Sequence, residues 1–168
     1  MTHETHAATP AISASVVVEP ATRADLKAIV AILASDAMFG ARDSADPAYL
    51  PEYERAFNAM LATPNLTLYV ARKGGVVLGT FQLVFFRALL RHGSLLAIAE
   101  AVHVHPDARG SGVGSVMMEF AVEEAKRRGA GSLQLVSNKK RLDAHRFYER
   151  MGFEKRLEGF KIDLSGRG

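Results

Sequence analysis

The chain has 168 residues, the size of one domain, and 48% of them are hydrophobic, enough for a proper core. A formal net charge of +3 and a pI near 9.3 suit an anionic partner but are too small a bias to indicate nucleic acid. The absence of cysteine excludes disulfides, thiolate metal sites and a covalent acyl-cysteine mechanism. No apolar run approaches the ~18 residues of a membrane span. The first ten residues lack the basic and long apolar regions of a secretory signal, so the expected compartment is the cytoplasm.

Residues 1–14 read as a flexible polar tail and residues 15–168 as a single domain. Residues 16–19 are a short β-branched run, expected as the first strand. Thr22 and Asp25 then form a capping-box start for a helix that carries Leu26, Ile29, Val30 and Leu33 on one face. A loop rich in Gly, Asp, Ser and Ala covers residues 39–47, and Pro51 opens a second helix. Strands are expected over residues 66–72 and 76–86, joined by a tight turn at Gly74 and Gly75. A third strand of this region spans residues 95–105. A helix runs from Gly112 to Gly129 with Val113, Val116, Met117, Phe120 and Ala121 as its apolar stripe. Residues 132–137 read as a strand, 141–151 as a helix and 153–164 as a last strand. The order is βαα-βββ-α-β-α-β, a mixed α/β domain without repeats.

Residues 104–115, V-H-P-D-A-R-G-S-G-V-G-S, carry the clearest chemical signal. A strand end passes through a short turn into a helix start, with Gly110, Gly112 and Gly114 in alternation. Glycines let a ligand approach the backbone. The first N–H groups of a helix lack intrahelical partners, and the helix dipole adds positive charge there. Arg109 stands at the rim, so the loop of Arg109, Gly110, Ser111, Gly112, Val113, Gly114 and Ser115 is a candidate pyrophosphate site. A dinucleotide fingerprint is excluded because its third glycine would fall on Ser115. A Walker loop is excluded because no Lys follows Gly114.

What remains is R-x-x-G-x-G, at Arg109, Gly112 and Gly114. Downstream, residues 144–153 read A-H-R-F-Y-E-R-M-G-F. Together these motifs resemble the GNAT superfamily of N-acetyltransferases, over roughly residues 66–164. The residues 137–148 string, S-N-K-K-R-L-D-A-H-R-F-Y, resembles a subgroup that includes aminoalkylphosphonate N-acetyltransferases. The resemblance implies an α/β (α+β) fold with a mixed, mainly antiparallel sheet flanked by helices. Strands four and five splay apart there to admit acetyl-CoA as cosubstrate, with no metal. It implies that Val102, His103 and Val104 bind the pantetheine arm and carbonyl through their main chain. Asn138 and Arg141 follow the strand that faces the cofactor; the superfamily often has Asn where this chain has Arg141.

Acetyl transfer to an amine needs a polarised carbonyl, a base for the ammonium and an acid for the thiolate. Glu100 is the candidate base. It lies on an apolar strand, and strict alternation gives it one face with Ile98, Val102 and Val104. Desolvation makes a carboxylate a stronger base. The alternative is a strand-edge Glu in a salt bridge. Tyr148, which the resemblance puts near the coenzyme sulfur, is the candidate acid; the alternative is a packed aromatic on the stripe of Ala144, Phe147, Tyr148 and Met151.

His103 could also line the acceptor pocket and relay a proton, and with His105 it shares one face as a conceivable metal pair that lacks a third ligand. Lys139, Lys140 and Arg141 either meet the adenosine phosphates or form a solvated turn. Asp36, Arg42, Tyr49 and Tyr53 are the polar candidates for the acceptor site, against a reading as surface loop and core aromatics. The expected acceptor is a small-molecule amine, without nucleic acid or membrane, and a homodimer is one option for assembly. Peptide acetylation and a non-catalytic coenzyme A-binding module are the alternatives.

Overall fold

The computed structural model describes residues 15–36, 43–162 and 164. The expected tail, residues 1–14, and the acceptor candidate Arg42 lie outside them. Strands β1 (Val17–Pro20), β2 (Leu66–Lys73), β3 (Val76–Arg87), β4 (Leu95–Val104) and β5 (Ser132–Leu135) form one sheet in sequence order. All pairs are antiparallel except β4–β5, which is parallel. Helices α1 (Leu26–Ala34) and α2 (Leu50–Leu61) precede β2, α3 (Val113–Arg127) joins β4 to β5, and α4 (Leu142–Arg150) follows β5. A parallel pair requires a long crossover, and α3 supplies it.

Local chemistry accounts for the ends of these elements. The Asp25 carboxylate accepts from the Thr22 N–H (2.8 Å) and the Thr22 hydroxyl (2.9 Å), closing the expected cap. The Arg72 guanidinium donates to the other oxygen of Asp25 at 2.9 Å. Asp46 accepts from the Ala48 N–H at 2.9 Å ahead of α2. Gly74 and Gly75 both have positive φ (56° and 82°), the backbone that a two-residue hairpin between twisted strands requires.

The sheet separates two cores. On one face Tyr69, Phe81, Leu83, Ala97 and Ala99 pack against Val113, Met117, Met118 and Ala121 of α3. On the other, Val70 and Val77 pack against Leu26, Ile29, Val30 and Ile32 of α1 and Phe57 of α2.

Two expectations fail. Residues 153–162 and 164 form no strand, and β5 stops at Leu135, not at residue 137. Phe160, Ile162 and Leu164 do alternate, but they are 96%, 79% and 88% exposed. Alternation records a preference for an extended chain; a strand also needs a neighbour that pairs its N–H and C=O groups. This segment forms no ladder with the sheet.

The second failure concerns the face of Glu100. Glu100 pairs with Gln82 and His103 with Thr80, so three steps along β4 oppose two along β3. The extra residue is a β-bulge at Ala101, whose φ is 50°. It shifts the period of two by one. Val102 and Val104 therefore pack toward the α3 side, while Glu100 shares the α1–α2 side with His103.

Candidate active site

The β4–β5 ladder runs from Leu96↔Ser132 to Ala99↔Leu135 and ends there. Strands four and five part just before the bulge, as expected. Beyond Ala99, the backbone groups of β4 that point toward β5 have no strand partner, which leaves them available to a ligand. A cavity of about 340 Å³ opens at this parting, lined by Ser35, Asp36, Val102, His103, Val104, Arg109 and Arg141.

The N-terminus of α3 adjoins it in sequence. The first backbone bond of this helix runs from the Val116 N–H to the Gly112 carbonyl (3.1 Å), so the N–H groups of Val113, Gly114 and Ser115 precede the ladder. Gly110 and Gly112 have φ of 76° and 87°, a backbone that only glycine adopts without strain, and a Cβ at either would meet nothing within 4 Å. Gly114 has a different reason. Its Cβ would come 3.3 Å from the Phe147 ring and 3.7 Å from Val104 Cγ2, so it permits close packing of α3 on α4 and β4.

Ser111 donates its hydroxyl to the Ala108 carbonyl (2.6 Å), and His105 Nδ1 accepts from the Asp107 N–H (3.2 Å). Both side chains shape the turn. Arg109 Nε donates to the Val104 carbonyl at 3.4 Å. Val113 is 1% exposed, so only its backbone is available to a ligand. A diphosphate and its extended arm fit these residues: left-handed glycines, open N–H groups, Arg109 and a parted pair of strands.

Across the cavity, Asp36 Oδ2 holds two partners. His103 Nε2 lies 3.2 Å away, and the Arg141 guanidinium donates to the same oxygen. Arg141 thus reaches from the start of α4 to the end of α1, a contact that no local pattern in the chain signals. Asn138 acts locally. Its side-chain oxygen accepts from the Lys140 N–H (2.9 Å), its carbonyl accepts from the Arg141 N–H (2.9 Å), and His145 Nε2 lies 3.0 Å from that carbonyl. Lys139 and Lys140 are exposed.

Tyr148 and Phe147 on α4 are half-buried, as is Met151 just after it, so the expected buried stripe is only partly covered. Its ring centroid lies 5.2 Å from that of Phe147 and 5.9 Å from that of Phe153. Burial pushes the Tyr148 phenol above its ordinary value, and the positive charge of Arg141 offsets part of that rise. Arg141 therefore links the phenol electrostatically to the cavity.

The acceptor candidates separate. Asp36 lines the cavity at the end of β4. Tyr49 is 48% exposed and does not line this cavity. The Tyr53 hydroxyl accepts from the Ser44 N–H (3.1 Å) and donates to Asp43 (3.0 Å), so it ties down the segment before α2.

The acetyltransferase (GNAT) family matches residues 30–153. An aminoalkylphosphonate N-acetyltransferase of Salmonella typhimurium is 35% identical over 102 residues, which cover 61% of this chain and 66% of that enzyme, just under two thirds of its length. A crystal structure from Bacillus halodurans C-125, described as a transcriptional regulator, is 37% identical with a TM-score of 0.85, covering 89% of this chain and all of that one. A predicted acetyltransferase of Clostridium acetobutylicum, solved with acetyl-CoA, shares the fold at 21% identity and a TM-score of 0.67, covering 89% of this chain and 97% of that one. With the glycine loop at the start of α3, the parted strands and these likenesses, the chain belongs to the acetyltransferase (GNAT) family, whose members use acetyl-CoA.

Proposed function

We propose that this protein transfers the acetyl group of acetyl-CoA to the primary amine of a small molecule by direct attack, without a covalent enzyme intermediate. The observation that carries this reading is the bulge at Ala101. It puts Glu100 and His103 on one face of β4 at the point where β4 and β5 part. The name of the Salmonella enzyme supports a small amine as acceptor.

Acetyl-CoA supplies an activated thioester. The N–H groups at the start of α3 and Arg109 hold its diphosphate, and the main chain of Val102, His103 and Val104 holds the arm and polarises the carbonyl. The acceptor nitrogen bonds to the acetyl carbon as the carbon–sulfur bond breaks. Glu100 takes the proton that the nitrogen loses. Tyr148, neutral because burial favours its protonated form, gives a proton to the departing sulfur.

Glu100→Gln tests the assignment. It should keep acetyl-CoA affinity and lower turnover by roughly 10²–10⁴-fold. Near-parental turnover would move the role to water or His103. A second reading is a coenzyme A-binding regulatory module without turnover. The description of the Bacillus halodurans structure favours it, and failure of every amine to release free thiol from a bound cofactor would establish it.

A further inference from the structure

A second cavity lies on the Glu100 and His103 side of the sheet. Its volume is about 110 Å³. Ile29 and Leu33 of α1 and Tyr53 and Met60 of α2 wall it, and no charged residue among those described lines it. Two of its polar groups are already paired. The Tyr53 hydroxyl is bonded to Ser44 and Asp43, and the Thr80 hydroxyl donates to the Tyr69 carbonyl at 3.0 Å. An anionic or cationic group placed here would lose its hydration without finding a counter-charge.

The floor of this cavity connects it to the reaction. Gln82, Thr80 and Ala101 form that floor. Gln82 is the register partner of Glu100, and Thr80 is the partner of His103. Ala101 is the bulge residue between them. The next two residues, Val102 and His103, line the larger cavity. The two cavities therefore flank one short stretch of β4; Glu100 lines neither, but its register partner Gln82 lines the apolar one, so a molecule with its amine at Glu100 has that cavity beside it. An apolar cavity of roughly 150 Å³ stays dry and holds one benzene ring. By proportion, the present one holds about four carbons.

We propose that this cavity is the side-chain subsite of the acceptor, and that the preferred acceptor is a primary amine carrying an alkyl group of about four carbons. The proposal rests on the acetyl-transfer reading and adds the acceptor's class to it. Ile29, Leu33, Tyr53 and Met60 would set the specificity by their bulk. The phosphonate of an aminoalkylphosphonate would find no counter-charge there.

The test uses the full chain with acetyl-CoA and follows thiol release across straight-chain primary amines from ethylamine to octylamine, with an aminoalkylphosphonate alongside. The basicity of the amine is nearly constant along that series, so differences report on the chain. kcat/KM should rise about fourfold for each added methylene up to the capacity of the cavity, then fall. Ala56→Leu, on the rim of the cavity, should move the optimum to a shorter amine, and Leu33→Ala should move it to a longer one. A structural effect alone would lower all rates without moving the optimum. A flat dependence on chain length, or preference for the aminoalkylphosphonate over every alkylamine, overturns this proposal and leaves acetyl transfer standing. If calorimetry shows acetyl-CoA bound but no alkylamine yields free thiol while the aminoalkylphosphonate does, this proposal falls and acetyl transfer stands; if no amine of any class yields thiol, the acetyl-transfer reading falls and this proposal with it. The parental protein alone decides the matter if a variant fails to fold.

Discussion

Tyr148→Phe separates a catalytic phenol from a packed one. The change keeps the ring, and with it the contacts to Phe147 at 5.2 Å and Phe153 at 5.9 Å, and removes one hydroxyl. If the hydroxyl donates the proton to the leaving sulfur, turnover falls roughly 10²–10⁴-fold, a rise in barrier of about 3–5 kcal/mol. Stability then changes little, because a half-buried ring that keeps its neighbours loses little packing. If the hydroxyl only satisfies a buried partner, turnover survives and stability drops by about 1–3 kcal/mol, read as several degrees of melting temperature in a chain of this size.

The pH profile adds an independent reading. The acid must be protonated, so activity is lost as pH rises through the phenol's pKa. Burial raises that pKa, so the limb lies on the alkaline side of an ordinary tyrosine's, and it disappears in the Phe variant. Steady-state thiol release and thermal melting on the same preparation decide between the two. A melting-temperature loss with intact turnover and an unchanged alkaline limb would remove Tyr148 from the mechanism.

Gly112→Val places a β-branched residue at a φ of 87° and projects its side chain into the open space at the start of α3. It should abolish acetyl-CoA binding while circular dichroism still shows a folded chain; calorimetric affinity within about twofold of the parent would refute a pyrophosphate cradle there. Asp25 bears on acid stability. Burial alone would raise its carboxyl, but hydrogen bonds from the Thr22 N–H, Arg72 and the Thr22 hydroxyl outweigh it and hold it below its ordinary value. Glu124 is held at about 2, chiefly by hydrogen bonds from Arg127 and, against the cost of burial, from Arg128. A carboxylate with a depressed pKa contributes stability above its unfolded pKa and loses it as pH falls through the folded one. Urea midpoints should therefore hold steady above about pH 5 and fall steadily below pH 4. Asp25→Asn should reduce that slope, and an unchanged slope would show that the Thr22–Asp25–Arg72 contacts add nothing.

The sequence by itself determined the features that short stretches of chain encode. Thr22 and Asp25 start α1, Gly74 and Gly75 close a hairpin, and the glycines after Arg109 end one element and open α3. Each depends on backbone preferences and hydrogen bonds within a few residues, so spacing alone reveals it. The active-site reading split along the same line. The left-handed backbone at Gly110 and Gly112 is legible in the glycine spacing, although the packing role of Gly114 against Phe147 is not.

Contacts between distant parts were decided by the tertiary structure. Asp36 and Arg141 are 105 residues apart, and only the folded sheet brings them together with His103. Whether Glu100 shares its face with Val102 and Val104 or with His103 depended on one extra residue in β4, because a period of two reverses face with each insertion and nothing in A-E-A-V-H-V announces a bulge. Residues 153–164 show the converse: their alternation is that of a strand, yet the described part pairs with no neighbour. Local pattern sets what a segment prefers, while pairing and burial, which involve residues far away in the chain, set what it does.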